Sequence, residues 1–321
     1  MSRYDRQVCL PEIGPDGQAR LGQSTALVVG AGGLGTTILP LLAGAGVGRI
    51  RVFDPDVVEQ GNLHRQTLFR MSDIGRSKAH VARDALKGLN PECRIEAVAE
   101  RMDPVLGRRE VPHADIVVDA ADAFAVTYAL SDICRDAGVP FISASVLARN
   151  GYVGGFCAGA PSYRSVFPDL PAALATCGTV GVMGPVVAVL GALQAQMALS
   201  ALMGHAPSPL GQMITVDLES WRMGSFRFDG AGEPPHADTL VLGPQDLMPS
   251  DLVIELRDEV EAPSLIVAHA RRMDRRALEA FVPDRCRRVV FICSTGLRAW
   301  RAARTLSERH GTVTAILTDP R

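Results

Sequence analysis

The chain has 321 residues, a formal net charge of -2 and 47% hydrophobic residues. That length supports a large core, in two domains or in one large one, and the near-neutral charge excludes a general nucleic-acid or membrane-surface binder. Seven cysteines, an odd number without a Cys-x-x-Cys pair, argue for reduced thiols and a cytoplasmic location rather than a disulfide scaffold.

The N-terminal stretch MSRYDRQVCLPEIG is charged and lacks the apolar core of a signal peptide. Thr25–Val29 reads as a continuous apolar strand, residues 34–45 as a helix and Arg49–Phe53 as the next strand. Pro40 falls beyond the first turn of that helix and predicts a kink or break. Lys78–Leu89 has helical periodicity, with Ala82, Ala85, Leu86 and Leu89 on one face and Asn90-Pro91 ending it. Further strands are expected at 114–118 and 139–143, and a late strand pair at 214–218 and 225–228. Short buried strands alternating with helices predict an α/β, Rossmann-like, doubly wound and mostly parallel sheet. Residues 180–203 are long and apolar enough to suggest a membrane span, but Pro185, Gln194, Gln196 and Ser200 and the lack of basic flanks favour a buried or interface helix. The Gly- and Pro-rich run from 229 to 245 reads as a linker. Beyond it lies one small unit, with a strand at Val289–Ile292 and a helix over 297–308. The expected division is therefore 1–228, a linker over 229–248, and 249–321.

The stretch ALVVGAGGLG carries the clearest chemical signal. Gly30, Gly32 and Gly35 form a Gly-x-Gly-x-x-Gly turn, with Gly33 inside it, between a strand and a helix. Backbone N–H groups at such a helix N-terminus bind phosphate. Asp54 ends the next strand, 19 residues past Gly35, a spacing suited to ribose hydroxyls. NAD and ATP satisfy these features equally. Downstream lie Asn62, Arg65 and Lys78, and Asp122 follows the strand at 114–118. Fixed cations and a metal-binding carboxylate suit attack on a triphosphate, whose charge spreads over the phosphate oxygens; hydride transfer has no need of them.

The ordered motifs RYDRQ, GAGGLG, DPDVVEQGNLHRQ, IGRSKA, LNP and VVDAAD resemble the ubiquitin-activating superfamily, and the MoeB/ThiF-type adenylyltransferases in particular, over roughly residues 1–225. The resemblance implies that Asp54 binds ribose, that Asn62, Arg65 and Lys78 hold the triphosphate of ATP, and that Asp122 holds Mg²⁺. Arg6 resembles an arginine that reaches the nucleotide from the second subunit of a homodimer. The implied reaction is adenylation of the C-terminal glycine of a small ubiquitin-like sulfur carrier ending in Gly-Gly. Sulfur transfer would then give a thiocarboxylate, with a persulfide donor such as a cysteine desulfurase. Cys177 lies in a stretch resembling the family's crossover loop, where a cysteine attacks the activated carrier.

Cys293 and Arg298, in CSTGLR, resemble the active-site loop of a rhodanese, a domain often fused behind such adenylyltransferases. Backbone donors at the following helix would favour a thiolate or persulfide at Cys293. Two departures qualify the resemblance. The tail offers Glu255 and Arg257 in place of an Asp-Val-Arg strand and ends at VTAILTDPR, so a trimmed rhodanese-like domain is expected. Where the family carries two zinc-binding Cys-x-x-Cys pairs, Ser162 and Ser165 occupy the first and no cysteine lies near 228–235. Serine does not replace thiolate on zinc, so no structural zinc is expected, and Cys157 and His205 read as core residues. Two alternatives stay in play: a degenerate ATP- and carrier-binding scaffold, and an NAD-dependent oxidoreductase.

Overall fold

The computed structural model describes residues 2–169, 180–234, 239–284 and 287–317. Two short N-terminal helices, α1 (Asp5–Val8) and α2 (Gly14–Gln23), precede the first sheet. In that sheet β1 (Thr25–Val29), β2 (Arg49–Phe53), β3 (Arg94–Val98), β4 (Ile116–Asp119) and β5 (Phe141–Leu147) run parallel in the order β3-β2-β1-β4-β5. Antiparallel β6 (Asn150–Phe156), β7 (Gln212–Asp217) and β8 (Arg222–Arg227) extend it to eight strands. The order reverses between β1 and β4, and ligands bind such sheets beyond the strand ends at that reversal.

The helix α3 (Gly35–Ala45) packs against the sheet and runs without interruption through Pro40, contrary to the break its sequence predicts. Ile38, Leu39, Leu42 and Ala43 are fully buried around the proline. Burial of that face, worth roughly 1.5–3 kcal/mol per large side chain, offsets the roughly 3 kcal/mol cost of an internal proline. α4 (Lys78–Leu89) ends at Asn90, whose side chain donates to the Ala43 carbonyl at 2.7 Å and ties it to α3. α5 (Pro104–Glu110), α6 (Phe124–Ala137) and the short α7 (Tyr163–Val166) follow. The long apolar helix is α8 (Gly184–Met203), half buried, with Val186, Val187, Leu190 and Ala198 in the same core as α3 and β1. Its Gln194 donates to the main-chain oxygens of Asp119 and Ile142, at 2.6 and 3.2 Å, which gives a polar side chain work inside that core.

A second sheet holds five parallel strands in the order β11-β10-β12-β13-β9. They are β9 (Leu240–Leu242), β10 (Leu252–Glu255), β11 (Arg271–Arg272), β12 (Val289–Ile292) and β13 (Thr314–Leu317), accompanied by α9 (Arg275–Glu279) and α10 (Leu297–His310). β9 lies inside the segment expected to be a linker. Its apolar Leu-Val-Leu run pairs with β13, and that gain overrides the Gly and Pro around it. The two sheets also share a core: Val289 and Phe291 of β12 and Trp300 of α10 belong to one apolar cluster with Tyr128 and Leu130 of α6.

Arg164 fastens this junction. It is 3% exposed, makes paired bonds to Asp132 at 2.7 and 2.8 Å, donates to the Thr239 carbonyl at 3.2 Å, and lies over the rings of Tyr128 and Trp300 at 4.9 and 5.2 Å. A buried guanidinium is tolerated only when paired in this way.

Candidate functional site

A cavity of about 350 Å³ opens beyond β1 and β4, at the reversal of strand order. Gly30, Gly32, Gly33, Asp54, Asn62, Arg65, Lys78 and Asp122 all line it, although they lie up to 92 residues apart in sequence. The turn after β1 leaves no room for a side chain at Gly30 or Gly35. A Cβ on Gly30, whose φ is +103°, would sit 2.4 Å from the Ala120 carbonyl oxygen, and one on Gly35 would sit 2.1 Å from that of Gly30. Gly35 does not itself line the cavity; it closes the turn so that α3 can begin.

Asp54 directly follows β2 and is 5% exposed. Its Oδ2 accepts from the Ala31 N–H at 2.7 Å and its Oδ1 from the Asp56 N–H at 2.8 Å. Burial raises its carboxyl above the ordinary range, while those two N–H donors and the Lys78 charge pull it back. It therefore anchors the glycine turn as well as facing the cavity. Lys78, also 5% exposed, opens α4 and reaches Asp56 at 2.9 Å. Asn62 accepts from Arg65 at 3.3 Å and from Gln66 at 3.1 Å, and donates to Glu59 at 3.1 Å. Its amide is thus engaged in holding Arg65 in place.

Asp122 stands at the exposed mouth, and among the described residues no hydrogen-bond donor holds its carboxylate. Protein packed behind it raises its carboxyl, and the Arg65 charge works in the opposite direction. Two cations, a glycine turn and an uncommitted carboxylate in one cavity suit a polyphosphate with a divalent cation. Mg²⁺ takes one or two protein carboxylates and completes its shell with phosphate oxygens, so Asp122 fits it.

Sequence reasoning missed Asp56, Gln66 and Arg101, which line the same cavity. Asp56 shares a face with Asp54 by the two-residue period of an extended chain. The Gln66 Oε1 is buried without a partner among the described residues, and Arg101 follows the carboxyl end of β3, where parallel sheets place their ligand groups. Arg6 lies elsewhere: it is exposed on α1 and does not line the cavity of its own chain.

A probabilistic sequence model of one family covers residues 4–233 of the chain, the family being described as ThiF. The chain belongs to the ThiF family. The sulfur carrier protein adenylyltransferase of Thermus thermophilus is 39% identical over 225 residues, covering 68% of this chain and 83% of that protein. The adenylyltransferase and sulfurtransferase MOCS3 of Bos taurus is 41% identical over 218 residues, covering 67% of this chain and 48% of that protein, about half its length. The crystal structure of E. coli MccB with MccA-N7isoASN is similar with a TM-score of 0.63 and 25% identity, covering 73% of this chain and 74% of that one. This ThiF-family chain is an enzyme of the adenylyltransferase type.

Outside the cavity the expected residues fare differently. Cys177 and Cys286 lie outside the described residues. Cys293 directly follows β12 and accepts from the Ala299 N–H at 3.3 Å, so α10 does present a backbone donor to it. The thiol is nevertheless 1% exposed and belongs to the shared core, contrary to an open persulfide carrier. Arg298 stays beside the Cys293 thiol while it pairs with Glu261 and donates to Ser294 at 3.3 Å. Glu255 and Arg257 form a buried ion pair at 2.7 Å at the end of β10.

Where related chains would carry the first zinc pair, Ser162 and Ser165 face Glu233. The Ser162 N–H and hydroxyl both donate to it, at 2.6 and 2.7 Å, and Ser165 lies 3.4 Å from the Ser162 hydroxyl. Cys157 is buried with its thiol donating to the Ser131 carbonyl at 3.5 Å. His205 has its Nε2 buried without a partner among the described residues. No group of three or more His, Cys, Asp or Glu is gathered for a metal among the described residues.

Proposed function

We propose that this enzyme adenylates the C-terminal carboxylate of a small ubiquitin-like sulfur carrier. The observation that carries the reading is the convergence of Arg65, Lys78 and Asp122 with the glycine turn around one cavity. The adenosine sits with its ribose toward Asp54, and the triphosphate crosses the N-terminus of α3 toward Lys78 and Arg65. A carrier carboxylate oxygen attacks the α-phosphorus, the bond to the bridging β-oxygen breaks, and pyrophosphate leaves. Arg65 and Lys78 offset the charge that develops on the phosphate oxygens. Magnesium, when bound at Asp122, supplies further charge neutralisation to those oxygens. Arg6 would complete the site from a second copy in a homodimer. The relative's printed name as a sulfur carrier protein adenylyltransferase supports the choice of carrier.

Sulfur transfer follows in this reading. A persulfide's terminal sulfur attacks the acyl-adenylate, AMP leaves, and an acyl disulfide forms; a second thiol then attacks the cysteine sulfur of that S–S bond, forms a disulfide with it, and the thiocarboxylate leaves. Cys177 or Cys293 would carry the persulfide, loaded by a donor such as a cysteine desulfurase. A second reading, in which the C-terminal unit serves only to dock and brace, is favoured by the covered Cys293 thiol. ATP–pyrophosphate exchange that depends on a small Gly-Gly-ended protein tests adenylation. Exchange in its presence supports the proposal, and none with any carrier encoded beside the gene overturns it.

A further inference from the structure

The C-terminal unit meets the segment that follows Asp122 at the rings of Phe124 and Tyr128 and at Ala125. β4 ends at Asp119, whose Oδ1 accepts from the Ala121 N–H at 3.1 Å, and Ala120 donates to the Val29 carbonyl at 2.8 Å. These bonds fix the upstream end of the Asp122 turn to the first sheet. The downstream end is α6, which starts at Phe124 after an Ala123 N-cap that makes no side-chain capping bond. Thr127, in the first turn of α6, donates to Asp119 at 2.7 Å and ties that turn to β4, which leaves the first residue, Phe124, to be held by its ring.

Phe124 does not line the nucleotide cavity. Its ring meets that of Trp300 edge-on, with centroids 6.3 Å apart and planes at 81°. On the same side lies the turn after Cys293, where a Cβ on Gly296 would come within 3.0 Å of the tip of the Phe124 ring. Only a glycine at a φ of +81° lets that turn approach so closely. Only Ala123 then separates Phe124 from Asp122, too short a tether to absorb a shift of the helix end.

We propose that Phe124 is a positioning residue, braced by Trp300 and the Gly296 turn of the C-terminal unit, that sets how Asp122 faces the nucleotide cavity. The inference rests on the Mg-ATP reading of that cavity and adds the C-terminal unit to it. By linkage, events at the Cys293 loop and nucleotide binding then influence each other reciprocally.

The test is calorimetric binding to the full chain of ATP with and without Mg²⁺, in the wild type, Phe124→Ala, Phe124→Leu, Asp122→Ala and the double variant. Phe124→Ala is expected to weaken Mg-ATP binding about 5-fold or more and to leave metal-free ATP binding unchanged. Phe124→Leu restores affinity, and the effect vanishes in the Asp122→Ala background. Equal losses with and without Mg²⁺, no loss, or a loss that persists without Asp122 overturns the proposal. If Phe124→Ala does not fold, Trp300→Phe is measured in the same way and with the same outcomes. A wild type that binds no ATP overturns the nucleotide reading itself, and is told apart from the other failures by its own silence.

Discussion

Two turns in this molecule are built alike and differ in what faces them. The glycine turn follows β1, the middle of its parallel strands, and leads into α3; the Cys293 turn follows β12, the middle of the second sheet, and leads into α10. Both place backbone donors at a helix N-terminus, the arrangement that favours an anion. Opposite the first turn, the segments that carry Asp54, Arg65 and Asp122 stand apart and leave a cavity of about 350 Å³. Opposite the second, Phe124 presses on Gly296, Arg298 closes on Glu261, and the thiol is 1% exposed. Strand–turn–helix geometry thus supplies the donors, and the neighbouring elements decide whether a ligand can reach them.

The largest expected effect is on the open turn. Asp122→Ala should lower carrier adenylation about 100-fold or more, because it removes a carboxylate at the mouth that no donor among the described residues holds. Steady-state pyrophosphate exchange checks this, and unchanged turnover would break the contrast between the two turns.

Beneath that turn lies Asp119, fully buried, its carboxyl pushed up to about 6 chiefly by desolvation, with Thr127 and Ser143 donating to it at 2.7 and 2.8 Å. The folded state holds this proton more tightly than the unfolded chain, where an Asp titrates near 4. The contribution to stability is present in full below pH ~4 and is lost as pH rises through ~6, about 3 kcal/mol at most. Denaturant unfolding at pH 4.5 and 7.5 should show that fall in the wild type and a smaller one in Asp119→Asn.

A smaller effect concerns the Ser162–Glu233 pair. Glu233→Gln should cost about 1 kcal/mol of stability, read as a lower melting temperature, and chelators should leave the wild-type melt unchanged. The smallest is at the closed turn. Cys293→Ala should leave adenylation within about 2-fold. Alkylation followed by mass spectrometry should label exposed Cys9 quickly and Cys293 only on unfolding. Rapid labelling of native Cys293 would erase the difference between the turns.

Much of the first turn could be read from the chain itself. Each of its elements carries a local signature: an apolar strand, a glycine turn, an acid at the next strand end, and a helix with clear periodicity at Lys78. The strand at Leu240–Leu242 was hidden because three residues set among Gly and Pro show no period, and only pairing with β13 defines them. Asp56 and Gln66 were hidden because their roles are relational. One matters through its bond to Lys78 and the other through its bond to Asn62. The covering of Cys293 depends on α6, which lies more than 150 residues earlier, and no local pattern reports a contact of that range.

The central claim is that the cavity binds a triphosphate between the glycine turn, Arg65 and Lys78. Calorimetric titration of the wild type and of the Arg65→Ala, Lys78→Ala double variant with Mg-ATP, and separately with NADH, tests it most directly. The account predicts saturable Mg-ATP binding in the wild type, loss of that binding in the double variant, and no NADH binding. Binding of NADH in place of Mg-ATP, or Mg-ATP affinity unaltered by the double substitution, would contradict it.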